Sequence, residues 1–312
     1  MKKIILSKIF LLVALTLAAQ QDPQFSMNSF NRLFSNAGVA GSGGERICAS
    51  LLVRNQWTGL PGNPKSLVFS GHGLVNDVHG VGFSVLADNL GQEKTTMLKG
   101  SYALNLGNIG IGMSVGMINK RFGNNWIPPQ TLSDAAIPFG TADVAFDMDV
   151  GIYYKTDRMY AGLSATHLNA AQLTDGTSFE YDMARHYYVT AGYKIDVPSL
   201  RVVLEPSVFA KSDAASTQID LNLIAHFNNR VWGGITYRLG DAIAPMGGVL
   251  IPYSRKSEKT NTTRTGAIKI GYAYDFTTSK LRQYSTGSHE VFVSYCFDIP
   301  EWLQKAKTVR FL

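Results

Sequence analysis

Residues able to do chemistry are thinly scattered along this chain. Six histidines occur, and His289-Glu290 is not followed by a second histidine four residues on, so the zinc-protease spacing fails. Gly162-Leu163-Ser164-Ala165-Thr166 lacks the closing glycine of a serine nucleophile elbow. Gly110-Ile111-Gly112 lacks the third glycine of a nucleotide loop and sits in an alternating run, which makes it a packing feature. Asp147 and Asp149 share a strand face; such a pair can hold a cation or exchange protons, but a solvated wall is the favoured reading. Asn261-Thr262-Thr263 matches only the weak glycan-acceptor pattern. Cys48 and Cys296 are too far apart in sequence to make a zinc site without other placed ligands. No catalytic set, metal site or cofactor site assembles, so the chain is expected not to be an enzyme.

The elements that would position such residues are strands. In Ser288 to Ile299, Val291, Val293, Tyr295, Phe297 and Ile299 fall on one parity. Ser288, Glu290, Ser294, Cys296 and Asp298 fall on the other, interrupted by Phe292. A period of two is the strand period. One face suits lipid and the other a polar interior, as in the closing strand of an outer-membrane barrel, which must pair with the first because no sheet edge survives in hydrocarbon.

The N-terminus supports export. Lys2 and Lys3 precede an apolar run from Ile4 to Leu17, then Ala18 and Ala19, the pattern of a secretory signal. Of 29 basic residues, Lys2, Lys3 and Lys8 leave with it; 26 against 23 acidic ones gives the mature chain +3, too mixed to suggest a nucleic-acid partner. No later apolar stretch reaches the roughly 20 residues of a spanning helix, so a membrane protein of this kind must cross by strands. The 30 glycines and the 16 Phe with 14 Tyr suit barrel turns and aromatic girdles, although a soluble sandwich shares that composition.

Fourteen alternating segments follow, near 45–57, 65–76, 78–89, 94–106, 109–119, 144–155, 158–168, 184–195, 200–210, 216–227, 231–239, 241–251, 264–276 and 288–299. Their lengths suit a tilted spanning strand of about 9–11 residues. Connections after even segments are mostly tiny, such as Gly107-Asn108, and those after odd segments tend to be longer, such as 120–143 and 169–183. That is the barrel asymmetry of short periplasmic turns and long outer loops. Two connections break it: a lone Gly240, and 252–263 on the short-turn side, where either the count slips or the loop serves a periplasmic partner. The expected organisation is a signal peptide at 1–19, an N-terminal periplasmic segment at 20–44, an antiparallel transmembrane β-barrel at 45–299 and a periplasmic tail at 300–312.

Register can be tested by complementarity. A three-residue turn at Asn228 to Arg230 sets Asp220 opposite Arg238, a candidate lumen ion pair. Setting Cys48 against Cys296 also brings Arg54 opposite Glu290 and Ser50 opposite Ser294, a candidate closing register. The two thiols are then either a periplasmic disulfide or two unrelated buried cysteines. Bulky Leu52, Tyr153, Tyr160, Tyr188, Trp232 and Phe292 share the interior parity and argue for a partly filled lumen.

As an ordered set, several stretches resemble the PorP/SprF family of the type IX secretion and gliding apparatus. They are QDPQF at 21–25, RNQWTGLPGNPKS at 54–66, GVGFSVLADNLG at 80–91, YAGLSATHLN at 160–169, VWGGITYRLGDA at 231–242, GYAYDF at 271–276 and TGSHEVFVSYCF at 286–297. SNAGVAGSGG at 35–44 departs from an Asn-Pro-Ala-Tyr-Ala-Gly-like family stretch. The resemblance implies an outer-membrane barrel that supports secretion or surface anchoring. Its implied partners are membrane lipid, secreted proteins with a C-terminal sorting domain, and periplasmic type IX components. Asp22, Pro23, Gln24 and Phe25 are candidates for a periplasmic partner contact or an inward plug, or else form a disordered new terminus. Trp126 and Ile127, at a Pro-rich loop tip, are candidates for an external partner, with membrane-surface contact or loop packing as alternatives. The competing function is a small-solute diffusion porin, which needs an open lumen.

Overall fold

Side-chain alternation decides which way each strand faces, and pairing decides where the sheet ends. The computed structural model describes residues 22–44, 46–75, 78–124, 140–176, 179–256 and 263–298. Its strands are β1 (Arg46–Asn55), β2 (Lys65–Leu74), β3 (His79–Leu90), β4 (Glu93–Leu106), β5 (Ile109–Phe122), β6 (Ala142–Lys155) and β7 (Met159–Thr166). A small hairpin follows, β8 (Gln172–Thr174) and β9 (Glu180–Asp182). Then come β10 (His186–Tyr193), β11 (Ile195–Val197), β12 (Val202–Ser212), β13 (Thr217–Phe227), β14 (Val231–Arg238), β15 (Ala242–Lys256), β16 (Thr263–Thr277) and β17 (Ser288–Asp298).

Each neighbouring pair is antiparallel, and β10 and β11 lie end to end against β12 as one stave. The ring of fourteen staves seals where β1 meets β17, with Cys48 opposite Cys296, Ser50 opposite Ser294 and Arg54 opposite Glu290. Among the described residues, closure leaves the fourteen-stave ring no open side, the condition for crossing lipid with strands. Leu98, Ile111, Met113, Val115 and Met117 stand exposed on the outer wall, and Val291, Val293 and Tyr295 do so on β17. Glu290 and Phe292, one residue out of step with them, are buried inside.

The two irregular connections resolve without a change of count. The turn after β14 spans Leu239 to Asp241; Gly240 takes φ +75°, which glycine tolerates, and the Asp241 amide donates to the Arg238 carbonyl at 3.1 Å. At 252–263 the strands themselves lengthen, to Lys256 on β15 and Thr263 on β16. Pairing of β15 with β14 stops at Val249, so this hairpin runs beyond its neighbour on the short-turn side.

Two parts of the chain fold inward rather than away from the barrel. The β8–β9 hairpin, in a connection read from sequence as a long outer loop, sends Leu173, with Met183 just after it, into a cluster with Val68, Leu86, Met97 and Ile118. Residues 22–41, read as part of an N-terminal periplasmic segment with 22–25 offered to a periplasmic partner or as an inward plug, lie inside the barrel, with three short 3-10 turns at Asn28–Phe30, Arg32–Phe34 and Ala37–Val39. The reason is the content of the inner wall. Leu52, Trp232 and Phe292 need an apolar cover, and Phe30 supplies it, with ring centroids 4.6 Å from Trp232 and 5.1 Å from Phe292. Each large side chain buried this way contributes on the order of 1.5–3 kcal/mol.

Candidate functional site: the threaded lumen

The inner walls of β1, β13, β14, β16 and β17 bring two arginines and three carboxylates together near the long-connection ends of those strands. Arg54 Nη1 lies 2.8 Å from Glu290 Oε2, and Arg54 Nη2 lies 2.6 Å from Asp275 Oδ2. Arg238 reaches Asp220 at 3.1 Å and Asp275 at 3.2 Å. All five residues are buried. Three acids against two cations leave an excess negative charge, which in a dry interior must be met by donors or left at high cost. The threaded segment supplies them. The Ser26 and Met27 amides donate to Glu290 at 2.8 and 2.7 Å, the Ser26 hydroxyl to both Asp275 oxygens at 2.8 Å, and Asn28 Nδ2 to Asp220 at 3.3 Å. Ser26 Oγ also accepts from Arg54 and Arg238, each at 3.2 Å, and its carbonyl accepts from Thr236 at 3.1 Å.

On the long-connection side too, the described segment begins at Asp22. His167, one residue past β7, points Nε2 at Asp22 Oδ1 (3.1 Å) and Nδ1 at Asp147 Oδ2 (2.9 Å). The Tyr188 hydroxyl donates to Asp22 Oδ2 at 2.6 Å, and Lys211 Nζ donates to the Asp22 carbonyl at 2.6 Å. Asp147 and Asp149, read from sequence as a solvated wall, are instead buried and share Lys99 Nζ at 2.6 and 2.9 Å. Burial follows because the threaded segment and the inward loop displace water from that face.

Toward the other rim, Arg32 stands between Glu205 (3.1 Å) and the Tyr153 hydroxyl (3.4 Å), with its guanidinium 3.8 Å from the Tyr160 ring centroid. Asn36 Nδ2 donates to the Ile152 and Leu163 carbonyls at 3.0 and 3.3 Å. The turn Ala37–Val39 lies so close to β5 that a methyl on Gly110 or Gly112 would meet the backbone of Ala37 and Gly38. Close approach of the threaded backbone therefore accounts for the glycine alternation there. At the short-turn rim Lys155 Nζ donates to the Ser42 carbonyl at 2.7 Å. The segment thus runs the length of the lumen, between an outer cavity of about 570 Å³ that Asp22 and Gln24 help line and an inner one of about 370 Å³ beside Arg32, Lys155 and Lys269.

The residues singled out from sequence fall as follows. Cys48 and Cys296 are disulfide-bonded, with Cα atoms 4.1 Å apart. Arg54, Glu290, Asp220 and Arg238 meet in the one central network. Asp22 is buried with its oxygens engaged inside the chain; Pro23, Gln24 and Phe25 are half-buried, and Phe25 sits edge-on to Phe34 at 6.0 Å. Trp126 and Ile127 lie outside the described residues. Sequence reading missed Ser26, Arg32, Asn36, Lys99, His167, Glu205 and Asp275. The lumen parity of Lys99, Glu205 and Asp275 was available as a signal; for Ser26, Arg32 and Asn36 none existed, because the threaded segment has no period.

A family model described as type IX secretion system membrane protein PorP/SprF matches residues 17–295. No curated protein matches the sequence. Among solved structures, the Ralstonia pickettii toluene transporter TbuX is similar at 11% identity, covering 85% of this chain and 92% of that one, with a TM-score of 0.51. The P. putida toluene transporter TodX is similar at 9% identity over 81% of this chain and 89% of its own, TM-score 0.47. The likeness to TbuX shows the outer-membrane barrel fold alone.

Proposed function

Because the chain belongs to the PorP/SprF family of type IX secretion system membrane proteins, we propose that it serves as a non-enzymatic outer-membrane anchor of that system, supporting secretion or surface attachment of cognate sorting-domain proteins. Its outer-membrane location follows from the family and the barrel. The observation that carries the anchoring role is the lumen: residues 22–41 fill its length and are tied to the wall by the Ser26 and Asp22 networks. A filled barrel is a rigid fixture in the membrane, with two rims free for protein contacts. On the inner side, the β15–β16 hairpin runs past its neighbouring stave, a projection open to a periplasmic type IX component. Pro23 and Gln24, read from sequence as candidates for a periplasmic partner or an inward plug, line the outer cavity, which supports the plug.

The competing porin reading requires a continuous water path, and the threaded segment stands in it. TbuX is named as a toluene transporter, but at 11% identity its cargo does not carry over. Affinity purification from detergent-solubilised outer membrane tests the proposal. A type IX component or a sorting-domain protein is expected to co-purify in stoichiometric amount; recovery of neither would overturn the anchoring role.

A further inference from the structure

The cluster around Asp22 has the composition of a transition-metal site as well as that of a hydrogen-bonded latch. One oxygen of Asp22 and one ring nitrogen from each of His167 and His186 lie within 4.8 Å of one another, and all three residues are buried. The His167 Nε2 to Asp22 Oδ1 separation of 3.1 Å matches the spacing between neighbouring ligands on a single zinc-sized ion, and His186 Nδ1, 3.0 Å from the Ala184 carbonyl, leaves Nε2 as the ring nitrogen facing Asp22.

A second, independent feature lies behind the donors. His167 is held from its far nitrogen by Asp147, the carboxylate-histidine arrangement that orients an imidazole toward a metal. Asp147 is fully buried, yet its Oδ1 has no hydrogen-bond partner, and the adjacent Thr166 Oγ1 has none either. The nearby cations are committed elsewhere, Lys99 to Asp147 and Asp149 and Lys211 to the Asp22 carbonyl. Asp22 and His186 also line the outer cavity, which gives an ion a route in and room for water as a remaining ligand.

We propose that Asp22, His167 and His186 form a binding site for a late first-row divalent cation such as zinc, entered from the outer cavity. Two imidazoles and a carboxylate favour that part of the series over calcium or magnesium. The ion takes the place of the proton between His167 and Asp22, and takes the His186 Nε2 lone pair that now accepts the Asp22 amide at 3.3 Å. It thereby clamps the start of the threaded segment to the ends of β7 and β10. The inference rests on the threaded lumen and not on the secretion role, so the two stand or fall separately.

The test uses the mature full-length protein in detergent, stripped with chelator and titrated with zinc chloride by calorimetry, with elemental analysis of the loaded protein. One zinc per chain is expected. His167→Gln and His186→Gln should each weaken binding at least about tenfold, and Asp147→Asn, which removes only the orienting carboxylate, by about 10–100-fold. His289→Gln, far from the site on β17, should leave it unchanged. Heat-modified electrophoretic mobility verifies that each variant retains its barrel. Should a variant not fold, X-ray absorption at the zinc edge of the unaltered protein decides, since two imidazoles must appear in the coordination shell. Absence of saturable zinc, undiminished binding in folded His167→Gln and His186→Gln, or a shell without imidazole would overturn the site.

Discussion

At the scale of single residues, Ser26 carries more than its size suggests. Its hydroxyl bonds two Asp275 oxygens and two arginines, its amide bonds Glu290 and its carbonyl accepts from Thr236. Ser26→Ala removes the hydroxyl and leaves buried charges short of a partner, at a cost of about 1–3 kcal/mol. Because the barrel ladders do not pass through Ser26, the loss should loosen the threaded segment rather than dissolve the staves. Limited proteolysis should show faster cleavage within residues 22–41 and an intact barrel band; unchanged cleavage would deny Ser26 this role. Arg54→Met would be harsher, since it leaves buried Glu290 without its arginine and Asp275 with Arg238 alone.

At the scale of elements, closure rests on β1 and β17, which are joined by ten residue pairs and the Cys48–Cys296 bond. The bond spans 248 positions of sequence, so it restricts an unfolded chain strongly. In the chain-entropy account such a bridge contributes about 2–4 kcal/mol. Cys48→Ser with Cys296→Ser is therefore expected to lower the urea midpoint of the detergent-solubilised barrel, while heat-modifiability at room temperature persists because the ladder remains. An unshifted midpoint would mean the denatured chain is already held compact at this seam. The β8–β9 hairpin belongs at this scale too. With Leu173 turned inward and Lys120 Nζ 3.6 Å from the Tyr181 ring centroid, this connection is part of the lumen wall and less available to outside partners than its length suggested.

At the scale of the whole molecule, the threaded segment decides what the barrel can pass. Planar-bilayer recordings of the intact protein should show little steady conductance. Deletion of residues 22–41 removes the cover from the Arg54–Glu290–Asp275–Arg238 network and from Trp232 and Phe292. That variant is expected to open stable steps of current while keeping its barrel mobility on gels. Equal conductance before and after deletion would show that the segment does not seal the lumen.

What the sequence by itself determined was the wall. A period of two is local, so Val291, Val293 and Tyr295 against Glu290 and Phe292 declare a strand and its two faces without help from any other part of the chain. Register was legible wherever a turn length or a complementary pair pinned it: Asn228 to Arg230 set β13 on β14, and one offset relates Cys48, Ser50 and Arg54 to β17. The sequence could also say that bulky and charged side chains share the inner face, but not what neutralises them. Only the closed tertiary structure decided that, because Asp22 meets His167, Ser26 meets Asp275 and Arg32 meets Glu205 across separations that no local pattern encodes. The contents of a lumen are fixed by the convergence of all its staves, and a segment without periodicity finds its place only once they have converged.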